Sequence, residues 1–216
     1  EYFRSKLFAA IKVPKAYLGY DENMPSRATL CLAGDTKIPL LDGTEKTICQ
    51  MAEEHGEYWV YSIDCNGSVV PGKAINPRLT KLQAETVIVE LDNGEEITCT
   101  PDHPFMMRDG TYVDAEKLKH DDSLMPLYRC ESKDVRYRGY ESVYNPVNEK
   151  YELTHRIVSS FVHGDFKNKE ATHHINRNKK DYSPENLSRL GIVEHLAEHH
   201  KDLLRQSVME KRYKAH

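Results

Sequence analysis

Glycine-containing turn signals recur at short intervals through the middle of this chain. Asn-Gly and Asp-Gly pairs readily take positive φ and are the strongest short-range signals of a β-hairpin. Turns are predicted at the following dipeptides: Asp42-Gly43, Asn66-Gly67, Pro71-Gly72, Asn93-Gly94 and Asp109-Gly110. Because a chain that reverses this often leaves little room for long helices, residues 31–128 are predicted to form a mainly β unit.

β-Prone runs and a few helical patterns fill the space around these turns. Trp59–Ile63 and Thr86–Leu91 are predicted strands, and residues 45–55 one short helix. Residues 1–30 suggest a short helix followed by a turn-rich segment without a core of its own. Residues 129–150 are rich in tyrosine and arginine, and are predicted to be a connector or an extended strand pair.

The last third of the chain has a mixed pattern. Thr154–His163 is predicted to be a helix, and His173–Asn178 a strand and loop. Ser183 before Pro184 favours the start of another helix, since serine caps helices and proline suits the first helical position. Glu194–Tyr213 is predicted to be a longer amphipathic helix.

Composition restricts the classes of protein to which the chain can belong. It has 216 residues, 39% hydrophobic and 30% charged, and no apolar run approaches the length of a membrane span. Its five cysteines have no CxxC spacing, which favours a reducing compartment. Residues 1–128 carry 13 basic and 21 acidic residues, whereas 129–216 carry 17 and 13. The second part is therefore the better candidate for contact with phosphate, although the charge taken alone favours an ordinary solvated surface.

Cys31 and a later Thr-x-x-His motif suggest chemistry on a peptide bond. Cys31 would attack the carbonyl of Leu30, which requires a proton donor near the scissile nitrogen and a donor to the oxyanion. Thr100 and His103 lie three apart across a predicted tight turn and can converge on one point. His103 is expected to titrate near working pH and to protonate the leaving nitrogen, and Thr100 to hydrogen-bond the carbonyl.

These two stretches resemble two sequence blocks of inteins. Cys31-Leu-Ala-Gly-Asp-Thr-Lys-Ile is similar to the first splicing block, and Gly94–Phe105 to the second. The resemblance implies a horseshoe-like Hint (hedgehog/intein) fold over residues 31–128 and an N–S acyl shift at Cys31, assisted by Thr100 and His103. Residues 1–30 would then be host protein, the N-extein, and no cofactor is implied.

The pattern of this family is incomplete here. Inteins end in an asparagine before Cys, Ser or Thr, and no such pair lies near His216. Since the chain also begins without methionine, it is expected to be a piece of a longer product. The C-terminal splicing part and C-extein would be supplied in cis beyond this piece, or in trans by a separate chain.

Histidines form a second group in residues 151–216. His195 and His199 are four apart on a predicted helix, so both rings can reach one cation. His173 and His174 are adjacent on a predicted strand and should point to opposite faces. One can then bind metal while the other faces substrate.

The order His-His, Asn-Leu, His-x-x-x-His resembles the HNH (ββα-metal) nucleases, a small α+β domain. The resemblance implies that His173, His195 and His199 bind a divalent metal and that His174 is the general base. Asn186 would hold the loop by hydrogen bonds. Magnesium, manganese and zinc all stay open. Double-stranded DNA is the implied partner, with contacts predicted from the following residues: Arg177, Lys179, Lys180 and Arg189.

Together the resemblances suggest an intein that carries an HNH homing endonuclease at residues 151–216, with residues 129–150 as a DNA-contacting connector. One alternative is a DNA nuclease on a vestigial Hint scaffold. Another is a structural virion protein interrupted by an insertion, since Tyr2–Leu30 resembles the portal proteins of T4-like phages. The expected location is the cytoplasm of a bacterial host, with the host protein in the virion.

Overall fold

The computed structural model describes residues 31–200 together with the backbone of residues 7–9. Short antiparallel strands dominate the part before residue 154. The strands in chain order are β1 (Leu7–Ala9), β2 (Lys37–Pro39), β3 (Glu45–Thr47), β4 (Tyr58–Ile63), β5 (Val69–Ala74), β6 (Val87–Glu90), β7 (Glu96–Cys99), β8 (Pro104–Met106), β9 (Tyr112–Asp114), β10 (Pro126–Glu131), β11 (Glu141–Asn145), β12 (Lys150–Leu153), β13 (Glu170–His174) and β14 (Leu187–Gly191).

Helices are short in the described part of the chain. α1 (Ile48–Glu54) begins with a capping box between Thr47 and Gln50, and α2 (Thr154–His163) follows β12 directly. Residues 192–200 are also helical and are labelled α3 here. No described helix has the length and apolar character needed to cross the lipid bilayer.

The predicted hairpins are largely confirmed. The pairs β2–β3, β4–β5, β6–β7 and β8–β9 are antiparallel, and each turn places its glycine at positive φ. The turn predicted at Pro71-Gly72 is wrong, because both residues lie inside β5 opposite Tyr61 and Val60. A Cβ on Gly72 would lie 2.7 Å from the Cβ of Ser62, so glycine serves close strand contact there instead of a turn.

Helix predictions have mixed outcomes. α1 and α2 are confirmed, but Ser183 and Pro184 lead only into a 3-10 turn, Pro184–Asn186. The chain cannot continue as a helix because Leu187 begins β14, which pairs with β13. The predicted helix over Glu194–Tyr213 is helical as far as residue 200 and then leaves the described residues. In residues 1–30, the described residues 7–9 are strand instead of helix, and the rest lie outside the described part.

Residues 129–150 are a strand pair built into a larger sheet. β10 pairs with β1 on one side and β11 on the other, and β11 pairs with β12, all antiparallel. Glu141 ties this sheet to its surroundings, because it accepts hydrogen bonds from Tyr61 Oη (2.6 Å) and Thr154 Oγ1 (2.8 Å). The predicted boundary between residues 128 and 129 therefore falls within β10.

The largest hydrophobic core crosses the predicted domain boundaries. Its buried members come from both predicted domains and the connector: Leu41, Tyr61, Ile63, Val69, Met106, Met125, Leu127, Val143, Val158, Tyr182 and Leu187. Backbone contact reinforces it, since the Tyr182 N–H donates to the Leu41 carbonyl at 2.6 Å. Trp59 Nε1 also donates to Glu185 Oε1 at 2.8 Å. The first hairpins and the histidine-rich segment thus share one core.

Candidate functional sites

The backbone after Cys31 lies along the end of β7. Ala33 N donates to the Thr98 carbonyl and Thr100 N to the Cys31 carbonyl, each at 2.9 Å, and Leu32 bridges Cys99. This pairing places the Thr-x-x-His turn directly beside Cys31. The two stretches singled out from the sequence are therefore neighbours in space, although 69 positions separate Cys31 from Thr100.

Thr100 and His103 present unused polar atoms inside this site. Thr100 is 3% and His103 6% exposed, and neither Thr100 Oγ1 nor His103 Nδ1 has a hydrogen-bond partner within the described residues. The turn that holds them is closed by His103 N donating to the Thr100 carbonyl at 3.0 Å. Buried polar atoms without partners carry a free-energy cost, so these two atoms call for an explanation such as a catalytic role or a bound group.

His103 is uncharged in the folded chain. Burial lowers its pKa to about 4, against a small opposing effect of Asp102. The expectation that it titrates near working pH is therefore corrected. At neutral pH the His103 ring is therefore neutral, so one of its nitrogens carries a proton and the other can accept a hydrogen bond.

Stability should fall in acid because of this histidine. The unfolded imidazole takes up a proton near pH 6.5 and the folded one only near 4, so the unfolded chain binds more protons between these values. The contribution of His103 is complete above pH 6.5 and is lost, to the extent of about 3 kcal/mol, as the pH falls to 4. Urea unfolding at several pH values should show a shallower decline for His103→Gln.

His120 supplies the control for that measurement, because its side chain is 99% exposed. We expect His120→Gln to keep the decline of the parent chain. An unchanged decline in His103→Gln would contradict the burial argument.

Thr80 was not singled out by the sequence. Its Oγ1 lies 3.0 Å from Cys31 Sγ, although it belongs to the loop between β5 and β6. A single threonine 49 positions from Cys31 carries no motif, so no sequence signal marks it.

β13, β14 and α3 assemble a strand–strand–helix unit around three histidines. His173 on β13 and His195 and His199 on α3 each offer one ring nitrogen, and these atoms all lie within 4.8 Å of one another. The Nε2 atoms of His195 and His199 are 3.3 Å apart. Burial, followed by the charges of His199 and His173, lowers the pKa of His195, which favours the neutral form that binds metals. The set suits a cation that accepts imidazole ligands.

His174 faces the interior, on the opposite side of β13. It is 5% exposed, and its ring lies 5.5 Å from His155 and 5.7 Å from Tyr140, measured between centroids. Burial first, then the neighbouring charge of His173, lowers its pKa to about 4. His155 on α2, which the sequence analysis did not mark, has its pKa lowered by burial to about 3.

Asn186 spans the loop between β13 and β14. Its side-chain Oδ1 accepts from Asn176 N (2.9 Å) and its Nδ2 donates to the Asp181 carbonyl (2.8 Å). Asn186 is 8% exposed, so these bonds are shielded from water. They fix the path of the loop that carries Arg177 to Lys180.

The cations predicted to meet DNA fall into two groups. Arg177, Lys179 and Lys180 are exposed on the loop, with Lys179 Nζ 4.9 Å from the ring centroid of Tyr140. Arg189 is different, because its side chain is only 9% exposed. Its guanidinium donates to the carbonyls of Asp165 (2.8 Å) and Ser159 (3.0 Å), which leaves little of it for phosphate.

Comparison with known proteins decides the family. The model of the intein splicing domain matches residues 38–212. The chain belongs to the intein splicing domain family. Family membership agrees with the mainly β architecture of the described residues.

Two curated proteins with different names contain a segment similar in sequence to this chain. The B subunit of DNA gyrase from Synechocystis sp. is 39% identical over 201 residues, which cover 86% of this chain and 19% of that protein. The small subunit of replication factor C from Methanocaldococcus jannaschii is 31% identical over 126 residues, 57% of this chain and 7% of that protein. The chain thus spans a fifth or less of the length of either relative.

Solved structures similar to this chain include two DnaB inteins. A mutant of the Ssp DnaB mini-intein gives a TM-score of 0.39 at 18% identity, with 51% of this chain and 69% of that chain covered. A DnaB intein from Synechocystis sp. gives 0.38 at 15% identity, with 58% and 94% covered.

Proposed function

We propose that this intein activates the Leu30–Cys31 peptide bond by an N–S acyl shift. The sulfur of Cys31 loses its proton and bonds to the carbonyl carbon of Leu30, the C–N bond breaks, and the freed amine of Cys31 takes up a proton. A thioester replaces the amide, and no cofactor takes part. The contact between Thr100 N and the Cys31 carbonyl supports this proposal, because the same turn carries the buried and unpartnered atoms Thr100 Oγ1 and His103 Nδ1.

Thiol-induced cleavage tests the acyl shift. Incubation of the purified chain with dithiothreitol should release a fragment that ends at Leu30, detected by mass spectrometry, because an added thiol exchanges with a thioester. Cys31→Ala should abolish the release, and Cys49→Ala, which alters an exposed cysteine, should not. Equal release from Cys31→Ala would refute the assignment, and no release from the parent chain would favour a vestigial scaffold.

We propose that a C-terminal intein part with a terminal asparagine joins this chain, in cis or in trans, and reseals the host protein. Residues 1–30 would be the upstream host segment, for which the likeness to T4-like portal proteins is the only lead.

A second activity, DNA cleavage, is proposed for the unit of β13, β14 and α3. The convergence of His173, His195 and His199 supports a divalent metal there, and imidazole donors favour zinc over magnesium. A metal bound there would stabilise the charge that develops on the phosphate. His174 would accept a proton from water. This requires its ring, which is buried beside His155 and Tyr140, to become accessible to water and substrate. The exposed cations Arg177, Lys179 and Lys180 would meet the phosphate backbone of double-stranded DNA.

Nicking of plasmid DNA tests the second activity. The chain should convert supercoiled plasmid bearing an uninterrupted copy of the host gene to nicked or linear forms when Mn²⁺ or Zn²⁺ is present, and not in EDTA. No conversion with any divalent ion would refute the proposed nuclease.

Together the two proposed activities would make this chain a homing element that acts in the cytoplasm of a bacterial host. The nuclease would cut alleles that lack the insertion, and splicing would keep the host protein intact. The matches to small parts of two proteins with unrelated names support an inserted segment.

A further inference from the structure

We infer that Thr80 is a positioning residue for the nucleophile, holding the Cys31 sulfur by a hydrogen bond from its hydroxyl. This inference rests on the proposed acyl shift at Cys31. It adds a participant from an element that neither of the two splicing motifs includes.

Cys31 is held from two sides. Its carbonyl accepts from Thr100 N at 2.9 Å, which fixes the backbone against the end of β7. Its sulfur lies 3.0 Å from Thr80 Oγ1, well within the range of a hydrogen bond to sulfur. Fixing the carbonyl alone leaves rotation about χ1 free, and the Thr80 contact selects one of the staggered positions of the sulfur.

The contact also fits the chemistry of the attacking atom. The thiolate is the reactive form of cysteine, and it can only accept hydrogen bonds. The hydroxyl of Thr80 can donate to a thiolate or accept from a thiol, so the contact persists when the proton leaves. Hydrogen bonds to charged groups are stronger than neutral ones, which favours the reactive form.

The location of Thr80 argues against a purely structural role. The residue is exposed in the loop from 75 to 86, and its neighbours Leu79 and Leu82 are 70% and 89% exposed. Its side chain therefore adds little to the hydrophobic core. Removal of its hydroxyl should change the reactivity of Cys31 and leave the fold intact.

Three variants of the full chain test this inference. Thr80→Val removes the hydroxyl and keeps the shape, Thr80→Ser restores a hydroxyl, and Thr86→Val alters an exposed threonine of the same loop. We expect Thr80→Val to slow dithiothreitol-induced cleavage at Leu30–Cys31 by roughly 10- to 100-fold. Thr80→Ser should recover most of the rate, and Thr86→Val should keep it. Thermal unfolding midpoints of all three should match the parent chain.

A second readout keeps the inference separable from the proposed function. The rate at which iodoacetamide alkylates Cys31, measured by peptide mapping, should fall in Thr80→Val and recover in Thr80→Ser. If the parent chain does not cleave, the acyl shift fails, and the alkylation rates still decide the role of Thr80. Cleavage and alkylation in Thr80→Val at or above the parent rates would overturn the inference.

Discussion

Tyr182→Ala should lower the free energy of unfolding of the whole chain by roughly 3–5 kcal/mol, as replacements of buried aromatic residues by alanine commonly do. Tyr182 is 1% exposed in the core that joins the first hairpins to the histidine-rich segment. Its loss leaves a cavity against Leu41 and Leu187. If the chain unfolds as one cooperative unit, the proposed thiol-induced cleavage at Cys31 should weaken with the fold.

Tyr182→Phe is the matched control for the cavity. It removes only the hydroxyl, which accepts a hydrogen bond from Glu141 N at 3.1 Å, and should cost about 1 kcal/mol. Urea unfolding can be followed by the fluorescence of Trp59, the single tryptophan, and by circular dichroism. Coincident transitions indicate one cooperative unit. A Tyr182→Ala chain in which only one transition moves would contradict a shared core.

His195→Ala should remove metal binding by the histidine cluster. At a free Zn²⁺ concentration about 100 times the dissociation constant, binding to the folded chain alone stabilises it by about 2.7 kcal/mol. This stabilisation should vanish in His195→Ala, because two histidines remain where three converged. Metal-dependent plasmid cleavage should be lost in the same variant.

His200→Ala tests whether the effect is specific. His200 is exposed on the same helix and lies outside the cluster, so its replacement should keep both the stabilisation and the cleavage. Isothermal titration with Zn²⁺ and thermal unfolding would measure the difference between the two variants. Equal Zn²⁺ stabilisation in His195→Ala would place the metal elsewhere.

Sequence signals correctly predicted those elements whose conformation depends mainly on residues close together in the chain. The hairpin turns at Gly43 and Gly94 follow from backbone preferences of the residues in the turn itself, and α2 follows from its own helical periodicity. Pro71-Gly72 and Ser183-Pro184 have equally good local signals and failed. In both cases a strand partner decides: β4 holds Gly72 in a strand, and β13 draws Leu187 out of a helix.

The proximity of the candidate site residues could be predicted from the sequence, but their protonation states could not. Cys31, Thr100 and His103 are brought together as their motif order suggested. That His103 is neutral depends on burial, which no sequence motif reports. Arg189 illustrates the same limit. Its positive charge suggested contact with DNA, whereas its guanidinium donates hydrogen bonds to the carbonyls of Ser159 and Asp165. Thr80 could not be found at all, since it meets Cys31 only through the fold.

The shared core also bears on how such an element decays over generations. Excision of residues 151–200 would take Val158, Tyr182 and Leu187 out of the core and expose Leu41, Ile63 and Val69. If the proposed nuclease is present, a lineage that no longer gains from cutting DNA would expose these core side chains by such an excision. Decay is therefore expected to proceed by point substitutions at His195 and His199, whose loss leaves the core untouched. Descendants should keep their length, and with it the raw material for regaining the lost activity.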